Sequence, residues 1–169
     1  MRYITLVRPG SFGDNVHLDT EGIIQMQSIT QHITGKILAH DASIQQCTIL
    51  RPQGLALPEE CAELFRDEIK IKSSITAVEW LRPGTNEKPK QVVRKLLDLS
   101  KTNPLIIAIG QFHYLEPFPK LLLESTKNPK ENFMKFATHP HNFGGHHTNK
   151  YGVLIAYDEM NEIHGIIQI

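Results

Sequence analysis

The chain has 169 residues, enough for one domain with a sizeable core, and we expect a single domain over 1–169. Its 18 basic and 18 acidic side chains leave no formal net charge, which argues against long-range attraction to nucleic acid or to an anionic membrane. No apolar run is long enough to span a bilayer and no signal-peptide core precedes the first strand signal, so a cytoplasmic protein is expected.

In chain order, Tyr3 to Val7 form an unbroken β-branched, aromatic and aliphatic run, the pattern of a strand buried on both faces. Arg8, Pro9 and Gly10 stop it, with a permanent cation at the strand's carboxyl end, where open α/β sheets bind ligands. Thr20 is read as the N-cap of a helix whose apolar positions are Met26, Ile29, Ile33 and Ile37. Ile44 to Leu50 reads as a second buried strand ending in Arg51-Pro52, and a helix carrying Leu57, Cys61, Leu64 and Phe65 follows. Lys70 to Ser74 alternates like a short strand, and Ala77 to Gly84 reads as a loop around Trp80.

Pro89 suits the first turn of a helix reaching about Ser100. Leu105 to Ile109 is the clearest central-strand run, closed by Gly110 and followed by a helix through Leu115, Phe118, Leu121 and Leu122. Phe133 to Ala137, Val153 to Tyr157 and Ile163 to Ile169 read as strands, the last two joined by a polar turn. This alternation predicts a three-layer α/β/α sandwich with a mostly parallel central sheet and antiparallel strands at its C-terminal edge. Cys47 and Cys61 fall in a strand and a helix and read as buried free thiols.

The run Leu6-Val7-Arg8-Pro9-Gly10, followed by Leu18-Asp19-Thr20-Glu21-Gly22 and Gln25, resembles the opening of the histidine phosphatase, or phosphoglycerate mutase-like, superfamily. In that family a strand ends in Arg-His-Gly and the next helix begins Leu-Thr-x-x-Gly-x-x-Gln. Leu81-Arg82-Pro83-Gly84, and Ile109-Gly110-Gln111-Phe112-His113-Tyr114-Leu115, are similar to the SixA-type phosphohistidine phosphatases, where the latter stretch reads Val-Gly-His-x-Pro-x-Leu. The resemblance spans roughly residues 3 to 125 and implies the phosphoglycerate mutase-like fold.

The departures carry the functional expectation. The histidine that takes the phosphoryl group in the family is replaced by Pro9, whose peptide nitrogen has no lone pair to offer. The family's second histidine aligns with Gln111, which cannot carry charge or pass a proton, and its second arginine, expected a few residues into the helix after strand two, aligns with Leu55. Arg8 alone remains of the four. Loss of one essential group from a nucleophilic site lowers the rate by about 10⁴- to 10⁶-fold. The resemblance therefore implies a catalytically degenerate relative, with no cofactor, that binds a phosphate-like anion or a phosphorylated protein partner through Arg8, Gly10, Arg51, Gln111 and His113.

Two other readings stay open. One is a working phosphatase rebuilt around Arg8, Arg51, Gln111 and His113: Arg51 lies four residues before Leu55, whereas His113, two residues past Gln111, would be turned about 200° away on a helix. The other is metal binding by His139, His141, His146 and His147, four of the nine histidines, though an exposed Gly144-Gly145 loop accounts for them more simply. Arg8 paired with Asp14 or Asp19 is the purely structural account of that arginine. Lys88, Lys90, Arg94 and Lys95 form a basic cluster flanked by Glu87 and Asp98, read as a solvated helix face, and Trp80 reads as a core or loop anchor.

Overall fold

The structure is a computed structural model in which residues 1–9, 16–110, 121, 124, 152–160 and 163–168 are described. Six strands form one sheet in the order β3-β2-β4-β1-β5-β6, where β1 is Arg2–Val7, β2 Gln46–Pro52, β3 Lys72–Val78, β4 Leu105–Ile109, β5 Gly152–Tyr157 and β6 Ile163–Gln168. The first four are mutually parallel, and β5 and β6 add antiparallel, as the alternation of strands and helices predicts. Helices α1 (Thr20–His40), α2 (Ala56–Glu68) and α3 (Pro89–Ser100) connect the parallel strands.

Strand pleating sorts β1 between the helical layers. Tyr3 and Val7 pack with Met26, Ile33 and Ile37 of α1 and Cys61, Ala62 and Phe65 of α2. Ile4 and Leu6 pack with Val92, Val93 and Leu96 of α3. Both faces of the central strands are thereby covered, which is why β4 reads as five consecutive buried apolar residues. Leu121, which with Glu124 is helical, adds to the α3 side.

Several boundaries differ from the sequence expectation for local physical reasons. The N-cap of α1 is Asp19, not Thr20, because its carboxylate accepts a 2.7 Å bond from the Gly22 backbone N–H. Ile44 is buried but lies in the turn after α1, where its N–H bonds the Asp41 carbonyl, so β2 starts at Gln46. The third strand begins and ends later than Lys70 to Ser74: pairing with β2 runs from Lys72 to Val78 and draws Ala77 and Val78 out of the expected loop. Trp80 sits in a single 3-10 turn, Glu79–Leu81, and anchors on the α3-side core. The expected strand Phe133 to Ala137, and most of the helix expected around Leu115, lie outside the described residues.

Both cysteines are free and buried, and burial pushes the Cys47 thiol up to about 12, which keeps it protonated. No described helix is long and apolar enough to cross a membrane.

Candidate functional site

Strand order creates the site. The chain steps outward from β1 to β2 to β3 with α1 and α2 on one face, then returns through α3 on the other face to place β4 between β1 and β2. A sheet whose connections reverse in this way opens a crevice at the carboxyl ends of the strands. Three strand ends meet there: Arg8-Pro9 beyond β1, Arg51-Pro52 closing β2, and Gly110 beyond β4, whose N–H bonds the Val7 carbonyl at 2.8 Å. Gly54 (φ 72°) and Gly84 (φ 79°) turn the chain along this same edge, toward α2 and α3 respectively.

Arg8 is half-buried, with its Nε atom withdrawn from solvent, and stands two residues beyond Leu6, which packs in the α3-side core. Pro9, also half-buried, follows at the tip of the central strand. Arg51 leaves the sheet toward α2. It is two residues beyond Ile49, which faces α1 and α2, and its guanidinium meets the Glu59 carboxylate of α2 at 2.7 Å and the Pro52 carbonyl at 3.3 Å. Its side chain is 17% exposed, so the ion pair is partly shielded. Asp19, one suggested partner of Arg8, spends an oxygen on the α1 cap.

Leu55 is the N-cap residue of α2, one position before the helix, with an extended backbone and no side-chain cap bond. The first turns of α2 hold acids at the crevice side. Glu59 takes Arg51, and Glu60 accepts a 2.9 Å bond from the Leu18 backbone N–H while lying 3.5 Å from His17 Nδ1. Glu60 thereby ties the segment entering α1 to the start of α2. Neither acid stood out in the sequence, although a carboxylate eight residues after Arg51, in the first turn of a helix, is where a strand-end cation finds a partner.

On the α3 side, the loop from Arg82 to Lys88 holds a further polar group. Thr85 Oγ1 is buried without a hydrogen bond among the described residues. Gln91 accepts a 2.7 Å bond from the Lys88 backbone N–H and so closes the start of α3. The Lys95 ammonium sits 5.6 Å from the Trp80 ring and pairs with Glu87.

Of the residues singled out in the sequence, the structure brings Arg8, Pro9, Arg51 and Leu55 to one edge, with Arg51 directed to the α2 layer. Gly10, Gln111, His113, Asp14, and the loop histidines His139, His141, His146 and His147 lie outside the described residues. Among the described residues, no group of three or more His, Cys, Asp or Glu could hold a metal ion.

No protein-family model matches the sequence, and no curated protein matches it. Solved structures match in fold. The protein histidine phosphatase SixA complexed with tungstate superposes with a TM-score of 0.60 at 15% identity, over 98% of this chain and 96% of that one. Phosphoglycerate mutase of Plasmodium falciparum gives a TM-score of 0.56 at 14% identity, over 99% of this chain and 88% of that one. A mycobacterial glucosyl-3-phosphoglycerate phosphatase gives 0.55 at 11% identity, over 100% of this chain and 97% of that one. The chain has the phosphoglycerate mutase-like fold, the α/β architecture expected from the order of its strands and helices.

Proposed function

We propose that this chain is a catalytically degenerate histidine phosphatase-like domain, similar to the SixA type, that binds a phosphate-like oxyanion on a protein partner and does not transfer it. The observation that carries the reading is Pro9 at the tip of β1, directly after Arg8, at the crevice of a fold shared with a histidine phosphatase that takes up tungstate. A peptide-locked ring nitrogen cannot attack phosphorus, whereas the neighbouring guanidinium can still hold an oxyanion through a bidentate pair of bonds.

Two further features support the same reading. Leu55 and the acids Glu59 and Glu60 occupy the start of α2, where the family resemblance leads one to look for a second arginine. Arg51, at the end of β2, already has its charge matched by Glu59. In this reading Arg8, beyond the end of β1, is an anchor whose neighbour at position 9 cannot act as a nucleophile.

The test is a pair of measurements on the purified chain. Incubation with an aryl phosphate and with a phosphohistidine peptide is expected to release no phosphate above background, while calorimetry detects inorganic phosphate binding that Arg8→Ala removes. Turnover abolished by Arg8→Ala, or a phosphorylated histidine trapped during the reaction, would restore the working-phosphatase reading.

A further inference from the structure

The chain is electrically neutral as a whole, but two of its segments are not. From 51 to 68, the bases Arg51 and Arg66 stand against five acids: Glu59, Glu60, Glu63, Asp67 and Glu68. From 79 to 101, six bases, Arg82, Lys88, Lys90, Arg94, Lys95 and Lys101, stand against three acids. The first stretch contains α2 and the second contains α3, which pack on opposite faces of the sheet.

The basic excess is gathered at one end of α3. Ser100, at the C-terminal end of α3, lies 2.5 Å from the Tyr157 hydroxyl, and Tyr157 pairs with Arg2 at the amino end of β1. The helix therefore starts at the crevice edge and runs away from it. Its first turn contains no acid and opens on Lys88 and Lys90, both exposed. Cations at a helix N-terminus oppose the helix dipole, so this arrangement costs stability in the absence of an anion. Lys88 and Arg94 have no carboxylate partner among the described residues, and Arg82, Lys90 and Lys95 meet Glu79, Glu124 and Glu87 through partly exposed pairs that a ligand can displace at little cost. Three residues before Lys88, the buried Thr85 hydroxyl has no hydrogen bond among the described residues.

From these observations we infer that the Lys88–Arg94 strip on α3 receives the acidic flank of a phosphorylated protein segment whose phosphate sits at Arg8. The inference rests on the oxyanion-binding reading above and adds the class of partner. Lys88 to Arg94 spans about 9 Å along the helix, the reach of roughly three extended residues. Arg8 follows the last residue of β1 and Lys88 precedes the first residue of α3, so both stand at the carboxyl edge of the sheet, where phosphate and flank engage together. On the opposite lip, Glu59 and Glu60 repel an acidic segment and set its direction.

The experiment compares three probes on the full chain by calorimetry or fluorescence anisotropy: inorganic phosphate, a phosphothreonine peptide flanked by glutamates, and the same peptide flanked by lysines. The acid-flanked peptide is expected to bind at least tenfold more tightly than the lysine-flanked one. The double variant Lys88→Glu and Arg94→Glu is expected to weaken it at least tenfold while shifting inorganic phosphate less than threefold. Both side chains are exposed and have no carboxylate partner among the described residues, so this variant is expected to keep its circular dichroism and Tm. Equal binding of the two peptides, no saturable binding of the acid-flanked one, or an affinity unchanged by the double variant overturns the partner assignment. So does binding of duplex DNA to the same strip with comparable affinity. If Arg8→Ala leaves inorganic phosphate binding untouched, the oxyanion reading itself fails, which separates the two outcomes.

Discussion

The two ends of the sheet handle polar groups in opposite ways. At the amino end, polar side chains close on one another: the Tyr3 hydroxyl meets His40 Nδ1 at 2.8 Å, the Thr48 hydroxyl bonds Asn103 at 2.8 Å, and the Tyr157 hydroxyl donates to Ser100 Oγ at 2.5 Å. At the carboxyl end, Arg8 and Pro9 tip a central strand, Arg51 pairs with Glu59, and Thr85 Oγ1 is buried without a bond among the described residues. Thr5 Oγ1, midway along β1, is likewise buried without one, so such atoms are not confined to the crevice. Each of these three bonds at the amino end ties a strand residue to the helix end or loop beside it. At the carboxyl end, where the proposed oxyanion site lies, Thr85 Oγ1 has no such partner among the described residues.

Four measurements break or sharpen this contrast. The largest effect is expected from alkaline titration of stability. Burial raises the Tyr157 hydroxyl to about 12, opposed only in part by its bond to Ser100, so the folded chain keeps a proton that the unfolded chain releases near 10. That contribution is whole below about pH 10 and is lost as the pH rises toward 12, a change of about 2 to 3 kcal/mol. The buried Cys47 thiol adds a decline of the same sign that begins near pH 9. Chemical denaturation across this range should show Tyr157→Phe declining less steeply than the parent, with phosphate affinity unaltered in both.

Arg8→Ala is the mirror experiment at the other end. It should lower phosphate affinity by about tenfold to a hundredfold, as expected for a lost charge-assisted pair worth about 1.5 to 3 kcal/mol, with the alkaline profile unchanged. A comparable loss of phosphate affinity in Tyr157→Phe would erase the distinction between the ends. Asp19→Ala, which removes the α1 cap, should cost about 1 kcal/mol in urea denaturation without altering the alkaline profile.

The smallest effect lies at the Arg51–Glu59 pair. A double-mutant cycle on stability should return about 0.2 to 1 kcal/mol, because one partner is half exposed. Glu59→Gln should nonetheless tighten phosphate binding, by releasing Arg51 and removing a negative charge from the lip. Weaker binding in that variant would show that Glu59 supports the site.

Much of the fold was legible residue by residue. Leu105 to Ile109 could only be a strand covered on both sides, and Pro89 to Ser100 combined a proline at the first helical position with an apolar spacing that the structure repeats. The third strand departs from its sequence expectation because its residues alternate between half-buried and exposed at a sheet edge, so its length depends on what β2 offers and not on its own composition. The cap of α1 was displaced by one residue because Asp19 and Thr20 both suit that role, and only the backbone direction chooses between them.

By itself the sequence determined the order of strands and helices, the cation at the end of the first strand, and the proline that denies that strand a nucleophile, since each follows from the chemistry of consecutive residues. Only the tertiary structure decided that β4 enters between β1 and β2, that Arg51 is claimed by Glu59, and that Glu60 holds the entry to α1. Those facts depend on strand register and on pairs 8 to 42 residues apart, where the path of the backbone, not local pattern, sets which charges meet.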